Sequence, residues 1–176
     1  MSTAEIHGNG HETHSASCRL VMRKDRSLEE ILQFVVSGLE AGQQVVALAS
    51  PECLKEIAHG VGENGLKPDA LVRNGRLVLL AAPDCLNFLS RPELPHRGPL
   101  RRNGSMLRWV SDWSWAYGNG IHPGHLAEMQ TRLHEYVRSL TALSMCTVES
   151  ENLGRSSLLA VLAEHRRAAR GTVAAV

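Results

Sequence analysis

Residues 107–168 read LRWVSDWSWAYGNGIHPGHLAEMQTRLHEYVRSLTALSMCTVESENLGRSSLLAVLAEHRRA, and this last third of the chain decides the fold. MLRWVSDW (106–113) reads as a strand. HPGHLAEMQTRLHEYVRSL (122–140) places Leu126, Met129, Leu133, Val137 and Leu140 on one stripe at helical spacing, the longest helix of the chain. ALSMCTVE (142–149) is a strand again. RSSLLAVLAEHRRAARG (155–171) is a closing helix whose last turns are basic, as the helix dipole favours.

Upstream the same alternation holds. SCRLVM (17–22) is a first strand. In SLEEILQFVVSGLEAG (27–42), Ser27 and Glu30 have capping-box spacing. Leu28, Ile31, Leu32, Val35, Val36 and Leu39 form the apolar face of that helix, and Gly42 closes it. QVVALA (44–49) is a continuous apolar run, which marks a strand buried on both faces. Ser50 is a good N-cap and Pro51 suits the first helical position, so PECLKEIAHGV (51–61) enters a helix directly from the strand. GRLVLLAA (75–82) is a third buried strand after the turn Asn74-Gly75. PDCLNFLSRPELPHRGPLRRNGS (83–105) holds four prolines and reads as irregular, with one helical turn at 84–90. Strands alternating with helices, with two-sided apolar strands, predict an α/β fold with a mainly parallel sheet flanked by helices. Strand order is not legible.

Length and composition bound the function. The chain has 176 residues, 43% hydrophobic, with a formal net charge of +1. That suits one domain over 16–170, with a polar tail at 1–15 and a short C-terminal tail at 171–176. Near-neutral charge gives no general pull toward nucleic acid or membrane, and 4% aromatics disfavours base stacking. No apolar run reaches membrane-spanning length, and the N-terminus is too polar for a signal peptide, so a cytoplasmic protein is expected. Cys18, Cys53, Cys85 and Cys146 form no CxxC pair and are expected as free thiols.

Open parallel sheets bind ligands at the carboxyl ends of their strands. The predicted strands end at Ser50, at Asp84 and Cys85, at Asp112, Trp113 and Trp115, and at Glu149. Gathered on one rim, these residues form a partly aromatic, partly acidic crevice, with a helix N-terminus aimed into it. The plainer reading is that loops are polar in any such fold and that Ser and Asp merely cap. Trp113 and Trp115, two apart, would share one face of a strand, either as a platform for a flat ligand or as core. As a platform, Trp115 would be replaceable by Ala with loss of ligand and no loss of fold.

These stretches resemble a known family. FVVSGLEAGQQVVALAS (34–50) is similar to the helix-Gly-strand opening of the MEDS family, the methanogen/methylotroph DcmR-type sensory domain. GRLVLLAAPDCL (75–86) resembles its next strand and loop. LRWVSDWSWA (107–116) resembles a strand ending in a Ser-Trp-Ala-like run, here Ser114, Trp115 and Ala116. Residues 132–165 resemble its closing helix-strand-helix with a Leu-Leu pair, so the likeness spans about 17–168. The resemblance implies a RecA/KaiC-like three-layer sandwich that senses a small molecule. Two features depart from that pattern. No Gly-rich loop with Gly-Lys-Ser/Thr fits between the second strand and its helix, where Ser50-Pro51 leads straight in and Lys55 is already helical, so ATP hydrolysis is not expected. RPELPHRGPLRRNG (91–104) stands where the family carries a helix.

The function expected is a stand-alone sensory domain. No helix-turn-helix or kinase core accompanies it, so the implied partner is a separate histidine kinase, anti-sigma-type regulator or transcription factor. A homodimer suits such a role, although no interface is legible. Two alternatives stay open. One is a nucleotide-binding remnant or enzyme of the same fold, although no nucleophile-base-orienter set is visible. The other is a metal- or haem-dependent sensor using His7, His11, His14 and Cys18, which are spaced four, three and four apart. Gly8 and Gly10 oppose the helix that this spacing needs, and His122 and His125 are most simply part of a helix start. Arg97, Arg101, Arg102 and Arg108 form a basic cluster best read as solvated. The cofactor, if any, is unknown.

Overall fold

The computed structural model describes residues 18–23, 27–82, 106–118, 121–140, 142–149 and 163. Five strands are present: β1 (Cys18–Arg23), β2 (Gln44–Ala49), β3 (Leu77–Ala81), β4 (Leu107–Asp112) and β5 (Ala142–Glu149). They alternate with α1 (Ser27–Glu40), α2 (Pro51–Glu63), α3 (Pro68–Arg73), α4 (Ser114–Gly118) and α5 (Pro123–Ser139). All strand pairs are parallel, in the order β1-β5-β4-β2-β3. The α/β class with a parallel sheet therefore holds.

The local chemistry explains the boundaries. Ser50 caps α2, its hydroxyl accepting from the backbone N–H of Cys53 at 3.1 Å, and Pro51 opens the helix. Gly42 ends α1 with φ at 75°, letting Gln43 N–H reach back to Gly38 C=O at 2.9 Å. The same closure recurs after α2 and α3, at Gly65 and Gly75.

Every residue of β2 is buried. Val45, Ala47 and Ala49 pack into one apolar layer with Ile31, Val35 and Leu39 of α1, Leu54, Ile57 and Val61 of α2, and Leu71 of α3. Val46 and Leu48 pack into the other with Trp109, Trp113, Trp115 and the Leu126, Met129, Leu133 and Val137 stripe of α5. The sheet is thus sandwiched, with α1–α3 on one face and α4 and α5 on the other. For β2 this two-sided burial is what its unbroken apolar run implies, whereas β3, expected as buried from a similar run, lies at the end of the strand order with only Leu77 fully buried.

Two further elements differ from expectation. The six-residue α3 goes unseen because it is too short for a helical period to show. The strand expected to run through 113 stops at Asp112, because Asp112 Oδ1 accepts from the Ser114 N–H at 3.3 Å and turns the chain into α4. The closing helix over 155–171 (Ala163 apart), the segment 83–105 and both expected tails lie outside the described residues. No described helix is long and apolar enough to cross a membrane.

Candidate functional site

The strand order creates a switch point. From β2 the chain passes into α2 on one face of the sheet, and from β4 it passes into α4 and α5 on the other. β2 and β4 are neighbours, so the connections leaving their carboxyl ends part to opposite faces of the sheet, and such a point is the usual ligand position in open parallel sheets. Leu48 pairs with Ser111, which sets Ser50 level with Trp113 just beyond.

Asp112 is the centre of this rim. It is 3% exposed, and its Oδ1 accepts from Thr147 Oγ1 at 2.8 Å and from Ser114 Oγ at 2.6 Å. Thr147 is its register partner on β5, so the bond ties two adjacent strand ends together. No described residue hydrogen-bonds Asp112 Oδ2. One carboxylate oxygen is therefore fixed by the scaffold, leaving the other for a ligand donor. Buried, oriented carboxylates of this kind favour charge-assisted hydrogen bonds of high directionality.

Of the expected site residues, the structure brings Ser50, Asp112, Trp113 and Trp115 to the same end of the sheet, in different roles. Ser50 is committed to its cap. Trp113 and Trp115 are not neighbours along a strand face, since β4 ends at Asp112 and Trp115 lies in α4. They nevertheless stack, with ring centroids 6.3 Å apart and planes at 24°. They are only 1% and 8% exposed, so they are core of the α5 layer rather than an open platform. Truncating Trp115 to Ala would remove a large buried side chain, at a cost of about 3–5 kcal/mol, and would not spare the fold. Glu149 closes β5 opposite Arg23, while its side chain, with Asp84 and Cys85, lies outside the described residues.

The metal alternative gains no support here. Cys18 opens β1 as the register partner of Ser144, so it sits in a strand and not on a helix with the histidines. His7, His11 and His14 lie outside the described residues. Among the described residues no three His, Cys, Asp or Glu gather as a metal site. Cys53 and Cys146 are buried and belong to no disulfide.

Sequence reasoning missed four features. Thr147 is one: a hydroxyl interrupting the apolar run of β5 was its only signal. The second is His134, whose Nε2 lies 3.3 Å from Cys146 Sγ inside the α5 layer. The third is Gln130, fully buried one turn earlier, whose Oε1 and Nε2 find no hydrogen-bond partner among the described residues. The fourth is Arg108, which is no part of a solvated basic cluster. Its Nη1 donates to Phe34 C=O at 2.7 Å and to Ser37 Oγ at 2.6 Å, its Nε donates to Gln43 Oε1 at 2.6 Å, and the guanidinium lies over the Phe34 ring. Burial lowers the Arg108 pKa from its ordinary value and raises that of the Tyr136 phenol, which meets Trp109 edge-on.

Compared with known proteins, the chain matches no family model and shows no significant match among curated proteins.

Proposed function

We propose that this is a sensory domain of the MEDS kind, which binds a small molecule at the crevice between the β2 and β4 ends and signals to a separate protein. The observation that carries it is the switch point, with Asp112 set at its edge and only one of its carboxylate oxygens engaged. A single residue, Ser50, separates β2 from α2, which leaves no phosphate-wrapping loop at that crossover and favours binding over nucleotide hydrolysis. The RecA/KaiC-like relationship belongs to the same reading. Its support is the resemblance of residues 34–50, 75–86, 107–116 and 132–165 together with the parallel sheet.

Asp112→Asn tests the site. The change is isosteric, keeps Oδ1 as acceptor for Thr147 and Ser114, and replaces only the oxygen that no described residue uses. The variant is expected to fold normally. Its retention of small molecules from an extract of the source cells, read by native mass spectrometry, should fall about tenfold or more, the scale of a lost charge-assisted bond. Undiminished retention would place the site elsewhere.

A further inference from the structure

We propose that His122 is a pH-operated cap on α5: its neutral imidazole holds the first turn of the helix, and protonation releases that turn. The device is independent of what the rim binds.

α5 is entered through the sequence His122-Pro123-Gly124-His125. Pro123 has no N–H, so Gly124 supplies the first backbone donor of the helix. A side chain takes that donor: Gly124 N–H donates to His122 Nδ1 at 3.2 Å. The absence of a side chain at 124 is what lets the ring come so close. A Cβ there would lie 3.3 Å from His122 Nδ1 and 3.4 Å from its Cε1. The imidazole therefore rests against the first turn. The His122 C=O accepts from Leu126 N–H at 3.0 Å, as the carbonyl of an N-cap does. Leu126 is buried in the apolar layer over the sheet. The cap thus joins directly to the stripe that seats α5.

α2 provides a contrast within the same chain. It too begins with a proline, and its cap, the Ser50 hydroxyl, accepts from Cys53 N–H at 3.1 Å. A serine hydroxyl does not titrate near neutral pH. An imidazole does, and only its unprotonated nitrogen accepts a hydrogen bond. Histidine in the place of the usual Ser, Thr, Asp or Asn makes the bond conditional. Protonation of Nδ1 sets two N–H groups against each other. It also places a positive charge at the end of the helix where the dipole is already positive. Both effects act in one direction. The bond is complete above the ordinary imidazole range, about pH 6–7, and is lost as the pH falls through it.

The other titratable and charged groups packed with α5 leave this response to His122. His125 Nδ1 lies 3.9 Å from Glu128 Oε2, a pair that carries opposite charges only when His125 is protonated. Glu128 already accepts from Arg132 Nη2 at 2.5 Å through Oε1, and all three side chains are about half exposed, where such pairs contribute little. On β4, Asp112 is buried and bonded to Thr147 and Ser114. His134, against Cys146 of β5, and Tyr136 lie roughly three turns or more further along α5.

The experiment uses the full chain and His122→Asn, which keeps a side-chain acceptor at the cap at every pH. The Gly124 amide proton is followed by NMR between about pH 8 and pH 5, with the Cys53 amide as internal reference, and the Tm is measured at both ends. In the original chain the Gly124 amide should move upfield with the same midpoint as the His122 ring signals, while the Cys53 amide holds still. In His122→Asn the Gly124 amide should no longer titrate. The Tm of that variant should match the original at the upper pH and exceed it by roughly 2–4 °C at the lower. His122→Ser gives a second reading if Asn disturbs the turn. His125→Asn should leave the Gly124 titration in place. A Gly124 amide that does not titrate overturns the proposal. So does a titration that survives in both His122 variants or disappears in His125→Asn, or a Tm difference that is the same at both pH values.

Discussion

Arg108 is a cation on an inner strand, and its hydrogen bonds to Gln43, Phe34 and Ser37 all go to neutral acceptors on α1 and the turn after it. The two carbonyl oxygens and the hydroxyl it satisfies lie near the C-terminal end of α1, where the helix dipole favours positive charge. Removing the side chain leaves those acceptors without their donor. Arg108→Ala is therefore expected to destabilise the fold by roughly 2–4 kcal/mol, from about 0.5–1 per bond plus lost packing on Phe34. Arg108→Lys should recover little, because one ammonium cannot reproduce the diverging Nε and Nη1 donors. Urea denaturation of the three proteins gives both values. Single residues of this kind were the least legible in the sequence. Arg108 looked like part of a solvated cluster because its number lies close to Arg97, Arg101 and Arg102, whereas its partners are 65 to 74 residues away. Asp112 was legible, being the polar residue that ends an apolar strand, but its bond to Thr147 needs the pairing of β4 with β5.

At the scale of elements, α1 and β4 are locked by close approach. A Cβ on Gly38 would lie 2.6 Å from Arg108 Cδ and 3.1 Å from Val45 Cγ2, and Arg108 is pinned and cannot step aside. Gly38→Ala should therefore destabilise the protein, although alanine gains about 1 kcal/mol of intrinsic helix propensity. The penalty should shrink or reverse in an Arg108→Ala background, a coupling that a double-mutant cycle measures directly. Penalties that simply add would show that the clash is with something else. The elements themselves were well signalled: β2 and β5 fall where their apolar runs place them, and Ser50, Pro51 and Gly42 mark their helix ends as capping chemistry requires. The misses have one cause. In α3 and α4 the chain bends over five or six residues, and a local side-chain bond such as Asp112 to Ser114 outweighs the surrounding period.

At the scale of the whole molecule, the order β1-β5-β4-β2-β3 decides what the chain can do, and no local pattern encodes it. Periodicity reports which face of a strand is buried, not which strand lies beside it. Once the order is known, the switch point between β2 and β4 follows, and with it the position of Asp112 and Thr147 on the α1–α3 side. A sensory role needs this site to hold a molecule whose presence shifts a packed element, and a partner that reads the shift.

The most direct measurement is native against denaturing mass spectrometry of the intact protein after exposure to a small-molecule extract of its source cells, with metal analysis of the same sample. The expected result is one additional organic mass per chain that departs on denaturation, without stoichiometric metal. A bare polypeptide under those conditions would contradict a ligand-sensing function, and stoichiometric metal would replace it with the histidine-based alternative.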